Sequence, residues 1–275
     1  MNPKEIERDT TSASWSYAEL WDRFPIPARP DAEEIAMEET YMKTLPKDPH
    51  VMILGSTIEY RSLCTRLGIT PHVVDFSRSN YDSLTSYAKE KFGKELFVEA
   101  DWLAIDSADK FDVILGHRPF NVIRHDQIGT LFRSMHRALK PGGIFFCRGN
   151  VRFPGDEDRL EELVLKWGSA KNRPYRLFSY LEVPLYIHCA DSQGYLDYPK
   201  ARETMQVFHD RGLVNDADYA DLVPLISMPA GTKFRSFIAK EELETSIRAA
   251  GFEKIDWKFT SHEFTKNMPI LVLTK

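Results

Sequence analysis

The 275-residue chain has little cysteine: Cys64, Cys147 and Cys189 are the only three. Odd in number and far apart, they make neither a disulfide framework nor metal-ligand spacing, which points to a reducing compartment. Long apolar runs are also missing. No stretch approaches 18 uncharged apolar residues, so the sequence offers no membrane-spanning helix. The opening MNPKEIERDTTSASW has no apolar core between a basic start and a small-residue cleavage site. It does not read as a secretory signal, and a cytoplasmic location is expected. There is no basic excess either. A net charge of −5 and a pI near 5.9 argue against a general affinity for nucleic-acid backbones. No His/Asp/Glu cluster has metal-ligand spacing, so no metal is expected.

What is present is an ordinary globular composition, 43% hydrophobic and 28% charged. The length suits one large domain, or a domain with one sizeable insertion. Such a chain buries roughly 70–75% of its unfolded surface and needs no covalent staples.

Residues 1–49 read as an N-terminal helical segment. WSYAELWDRF (15–24) puts Trp15, Ala18 and Trp21 on one helical face, and PIPARPD breaks it. Asp31 can cap a second helix reaching about Leu45, with Glu33 and Glu34 in its first turn. From residue 50 the pattern alternates. Apolar runs at 51–54, 72–77, 95–102, 111–117 and 144–150 predict strands. Helices are predicted over 59–68, 79–93 and 124–139, the last ended by Lys140-Pro141-Gly142-Gly143. Near-continuous apolar strands separated by helices imply a parallel sheet covered on both faces, in a doubly wound α/β domain. Residues 151–238 break the rhythm and read as an insertion. A helix over 239–252 and strands at 253–261 and 268–275 return to the sheet, the two strands as antiparallel neighbours.

In a doubly wound sheet, ligands sit beyond the C-terminal ends of the strands. Gly55 ends the first strand, where a glycine lets the backbone approach a ligand and a helix N-terminus offers free N–H groups. Asp75 ends the second strand, 20 residues later. At that spacing a carboxylate can accept from both hydroxyls of a ribose, or simply cap the next helix. Asp101-Trp102 ends the third strand. The pair could meet an adenine ring, or serve as a turn aspartate beside a core tryptophan.

In this order — strand–Gly, strand–Asp, strand–Asp-Trp, FDVILGH, helix, ALKPGGIFF, strand — the chain resembles the class I S-adenosylmethionine-dependent methyltransferases. The resemblance covers residues 50–150 and 239–275. FDVILG (111–116) and ALKPGGIFF (138–146) are its most specific pieces. It implies a Rossmann-like seven-stranded sheet, mostly parallel with an antiparallel last strand. It also implies S-adenosylmethionine as cofactor, with Gly55, Ser56, Thr57, Asp75, Phe76, Asp101, Trp102, Gly116 and His117 around it. The family loop usually carries an acidic residue and three glycines. Here Ile53, Thr57 and Glu59 stand at the acidic, second-glycine and third-glycine positions. The hydroxyls of Ser56 and Thr57 could hold the methionine carboxylate instead.

The expected activity is methyl transfer to a small-molecule nucleophile by in-line displacement, with His117 as candidate base. Tyr17, Arg118, Asn121, Arg148 and Tyr186 are the candidate substrate contacts. Residues 151–238 would form a cap, its aromatics (Tyr175, Phe178, Tyr180, Tyr186, Tyr195, Tyr198) lining a pocket or building their own core. The alternative function is a silent cofactor-binding regulatory or partner-binding protein. A nicotinamide dehydrogenase would want the full G-x-G-x-x-G, and an aminopropyl transferase an acid where His117 stands.

Overall fold

The computed structural model describes residues 21, 24–173, 175–191, 194–227, 237–262 and 265–275. The helix expected over 15–24 lies almost wholly outside them, as does Tyr17. The described chain opens on helix α1 (Ala32–Met42), whose cap Asp31 accepts the Glu34 backbone N–H at 2.8 Å. Strands and helices then alternate: β1 (Val51–Leu54), α2 (Ile58–Arg66), β2 (His72–Asp75), α3 (Arg78–Tyr87), β3 (Leu96–Glu99), β4 (Phe111–His117), α4 (Ile128–Ala138) and β5 (Leu139–Arg148). The insertion follows with β6 (Val151–Arg152), α5 (Leu160–Ser169), α6 (Leu177–Cys189), α7 (Tyr198–Asp210), α8 (Asp216–Leu222) and β7 (Ile238–Ala239). Helix α9 (Lys240–Ala249) and strands β8 (Lys254–Lys258) and β9 (Ile270–Thr274) complete it.

The sheet order is β3-β2-β1-β4-β5-β9-β8. Neighbouring pairs from β3 to β5 are parallel, while β9 runs antiparallel to both β5 and β8. This is the doubly wound, seven-stranded Rossmann-like arrangement expected. The chain steps outward through β2 and β3, then returns to the other side of β1 with β4. The reversal opens a crevice at the C-terminal ends of β1 and β4. All four residues of β1 are buried, as a central parallel strand covered by helices requires.

Several boundaries differ from the sequence reading, two of them at glycine-bearing segments. Helix α3 stops at Tyr87, short of Gly93. Strand β5 begins at Leu139 and runs through the Pro-Gly-Gly segment. Leu139 pairs with Phe111 and Ile144 with Val113, so the extra residues bulge out between two ladder contacts. Gly142 takes φ +75, and a Cβ at Gly143 would lie 2.9 Å from the Lys140 carbonyl oxygen. Glycine lets both backbone positions exist.

Helices α5 to α8 gather a core of their own. It contains Phe178, Tyr186, Tyr198 and Phe237, joined by Phe24 and Met268 from outside the insertion. Most of the aromatics considered for a pocket therefore hold the insertion together. Among the described residues no helix is long and apolar enough to cross a membrane.

Candidate active site

One half of the crevice is built by the ends of β1, β2 and β3. Gly55 turns out of β1 at φ +80, and its N–H donates to the Val74 carbonyl at 2.8 Å. A side chain there would be strained and would meet the Trp102 ring. Asp75 is 1% exposed. Its Oδ2 accepts from the Ser56 hydroxyl at 2.6 Å and from Asn80 Nδ2 at 3.0 Å, and its Oδ1 accepts from the Ser77 N–H at 3.1 Å. Burial raises its pKa, and these donors only partly offset the effect. The cap of α3 is Ser77, not Asp75: the Ser77 hydroxyl accepts the Asn80 N–H.

Asp101 Oδ1 accepts the Leu103 N–H at 2.9 Å and so fixes the turn after β3. Trp102 is buried and donates from its indole to the Val74 carbonyl at 2.8 Å. It is therefore a floor to the site. The exposed aromatic is Phe76, 41% accessible, standing edge-on to Trp102 with centroids 5.9 Å apart. Thr57 sits at the N-cap of α2 without a side-chain cap bond, so first-turn N–H groups of α2 keep their capacity to meet an anion.

The other half is built by the ends of β4 and β5 under α1. Gly116 is buried, and a Cβ there would lie 3.0 Å from Pro119 and 3.2 Å from Phe145. His117 places Nδ1 3.1 Å from Glu34 Oε1 and Nε2 3.2 Å from the Pro27 carbonyl. Both neighbours can accept, so each ring nitrogen lies within hydrogen-bond distance of a protein acceptor. In this arrangement both ring nitrogens of His117 are directed at groups of the protein.

Arg148 is fully buried. Its Nη1 donates to Asp31 Oδ2 at 2.6 Å and Glu34 Oε2 at 2.7 Å, Nε to the Met268 carbonyl at 3.0 Å, and Nη2 to Thr260 at 3.2 Å. Its guanidinium is engaged within the protein and not offered to an anionic substrate. Burial opposes ionisation of Glu34, but His117 and Arg148 outweigh it and hold the carboxyl at about 2. Tyr60 also donates to Glu34, at 2.7 Å. Glu38, one turn along α1, makes no salt bridge among the described residues, and Arg148 lowers its pKa only as a minor effect. Burial first, then the Glu34 charge, pushes its pKa well up.

Arg118 follows β4 in the left-handed region, φ +59. Its Nη2 donates to Asn150 Oδ1 at 2.8 Å and Glu182 Oε1 at 2.6 Å, and the Tyr186 hydroxyl donates to the same carboxylate at 2.7 Å. Asn121 Oδ1 accepts the Asn150 backbone N–H at 2.8 Å. The structure thus brings Arg118, Asn121 and Tyr186 together, as grouped from the sequence, and takes Arg148 out of that group. Sequence reasoning missed Glu34, Asn80, Asn150 and Glu182. Asn80 was within reach, five residues from Asp75 on the next helix. The others pair across long separations and leave no local signal.

Residues 55–143 match a family model described as a methyltransferase domain. No curated protein sequence matches the chain. Several solved structures share its fold at low identity. One, from Rhodobacter sphaeroides and provisionally assigned to the Zn-dependent alcohol dehydrogenases, is 14% identical and has a TM-score of 0.56. The alignment covers 95% of this chain and 99% of that one. A Haloferax volcanii chain from a complex with the Trm112 methyltransferase activator is 12% identical, with a TM-score of 0.52 and coverage of 98% and 99%. A SAM-dependent methyltransferase from Methanosarcina mazei is 13% identical, with a TM-score of 0.50 and coverage of 86% and 96%. At such identities the neighbours show the fold alone. Over residues 55–143 the chain matches a methyltransferase domain, and its strand order is the Rossmann-like one; both support a class I methyltransferase domain with S-adenosylmethionine as cofactor. The site fits that group, because a buried carboxylate, a strained glycine turn, an uncapped helix start and an exposed aromatic meet at the switch point.

Proposed function

We propose that the protein moves a methyl group from S-adenosylmethionine to a small-molecule acceptor in the cytoplasm. The observation that carries this reading is Asp75, a buried carboxylate at the end of β2 whose present partners are short, exchangeable side chains, Ser56 and Asn80. Asp75 would accept from the ribose hydroxyls in their place. Phe76 would cover the adenine, with Asp101 at its edge. Ser56, Thr57 and the first turn of α2 would hold the methionine carboxylate. Gly116 and His117 would line the sulfonium side, with the insertion 151–238 as cap over the acceptor.

The bound cofactor supplies an activated methyl group, so the chain's task is to orient the acceptor and exclude water. Orientation alone can contribute roughly 7–11 kcal/mol. His117, within hydrogen-bond distance of Glu34 and the Pro27 carbonyl, would position β4 against α1. An acceptor that arrives already nucleophilic suits this site.

The test is calorimetric titration with S-adenosylmethionine, S-adenosylhomocysteine and NAD, followed by transfer of isotopically labelled methyl into metabolite extracts. Binding of the first two and label in the low-mass fraction are expected. NAD binding alone would remove the reading. Tight cofactor binding with no transfer to any extract would favour the silent regulatory alternative.

A further inference from the structure

The cluster between β4, β5 and α6 holds two donors with nothing to donate to. Arg118 Nε and Asn150 Nδ2 are buried and have no hydrogen-bond partner among the described residues. Arg118 is 7% exposed and Asn150 not at all. Buried donors are nearly always paired, so each orphan calls for an acceptor. The Asn150 amide cannot turn to hide its NH2, because its Oδ1 already accepts from Arg118 Nη2 at 2.8 Å. The two orphans are therefore on side chains bonded to each other. They stand just beyond the C-terminal ends of adjacent parallel strands, where His117 pairs with Arg148 in the ladder. That is the acceptor side of the crevice. The left-handed Arg118 shows that backbone strain is accepted to keep the guanidinium there.

Charge decides what the orphans take. Arg118 is balanced by Glu182 at 2.6 Å, while Arg148 is balanced by Asp31 and Glu34. Among the described residues of this cluster no cation is left over, so a buried carboxylate would enter uncompensated by them. We propose that Arg118 Nε and Asn150 Nδ2 form a subsite for a neutral carbonyl oxygen, so that the methyl acceptor is an amide-like or ring-carbonyl compound. The proposal rests on the methyltransferase reading for what happens next to the subsite, and on the orphaned donors for the subsite itself.

Three probes test it on the full chain, with and without S-adenosylhomocysteine: benzamide, benzoate and ethylbenzene, followed by ligand-observed NMR titration. Benzamide should bind at least 10-fold more tightly than the other two. Asn150→Asp, which keeps the acceptor for Arg118 and loses the donor, should remove at least 10-fold of that affinity. It should also leave S-adenosylhomocysteine affinity within about 2-fold. Asn150→Leu, checked for folding by its unfolding transition, should do the same. Equal or tighter binding of benzoate, no binding of any probe, or undiminished benzamide binding by both variants would overturn the subsite. So would a crystal structure in which both donors keep an ordered water while benzamide is bound. Failure of S-adenosylhomocysteine to bind would break the methyltransferase reading, and benzamide titration of the cofactor-free chain would still decide the subsite.

Discussion

The two halves of the crevice are made in opposite ways. Around Gly55, Asp75 and Phe76, each side chain is held by neighbours close in sequence: Asp75 by Ser77 and Asn80, Asp101 by Leu103. Ser56 and Trp102 reach further, and Phe76 stands open to solvent. Around His117, Arg118 and Arg148 everything is buried, and the partners come from far away. Arg148 meets Asp31 across 117 positions, and Arg118 meets Glu182 across 64. The half proposed for the cofactor would admit S-adenosylmethionine and release S-adenosylhomocysteine on every turnover, which short, exchangeable hydrogen bonds suit. The half proposed to face the acceptor is made from ion pairs that cannot rearrange without exposing a charge.

The largest expected effect tests the wall. Arg148→Met leaves Asp31 and Glu34 buried with much less countercharge and should cost about 3–5 kcal/mol of stability, read from the urea midpoint at constant slope. A loss below about 1 kcal/mol would mean that the network is solvated and that the contrast is false. Next is the open half. Asp75→Ala removes two charge-assisted hydrogen bonds to the ribose, each worth about 1.5 kcal/mol, and should weaken S-adenosylmethionine about 100-fold by calorimetry. Its stability should change far less than that of Arg148→Met. Unchanged affinity would place the sugar elsewhere.

A smaller effect separates the two carboxylates on α1. Glu34, lowered to about 2, adds stability above pH 4.5 that is lost as pH falls toward 2. Glu38 has the opposite sign. Its folded-state pKa is raised, so folding takes up a proton, and stability falls as pH rises from about 4.5 toward the folded-state value. Glu38→Gln should flatten stability against pH between 5 and 8 and leave the variant ahead of the wild type at pH 8. Parallel slopes in the two proteins would show Glu38 ionised in the fold. The smallest effect concerns His117. With both ring nitrogens directed at protein groups, it should take no part in proton transfer, so His117→Asn should keep the shape of the pH profile of methyl transfer. A limb near neutrality that disappears in the variant would return His117 to the role of base.

The same contrast explains what could be read from the sequence. The strand–Gly, strand–Asp and strand–Asp-Trp series is local, and it fixed the sheet, the switch point and Asp75 as residues of interest. Trp102 was legible as an aromatic beside the crevice, but not its indole bond to Val74, which makes it a floor and leaves Phe76 as the exposed ring. Asp31 and Glu34 were read as helix cap and first-turn acid. Asp31 does cap α1 with one oxygen, while its other oxygen takes Arg148. Nothing in the spacing of either residue announces that second bond. The insertion's helices were read only as turn-bounded pieces. Pro184 lies inside α6, and the apolar residues of α6 are buried all round rather than on one face, which hides the helical period.

The position of β9 bears on assembly of the fold. Within the described sheet, β8 pairs with β9 alone, and β9 is the last strand in chain order. Strand β8 emerges first yet has no ladder to join until its younger neighbour has slotted in beside β5. Loss of residues 270–274 would therefore strip two strands from the sheet at one stroke and leave the flank of β5 bare.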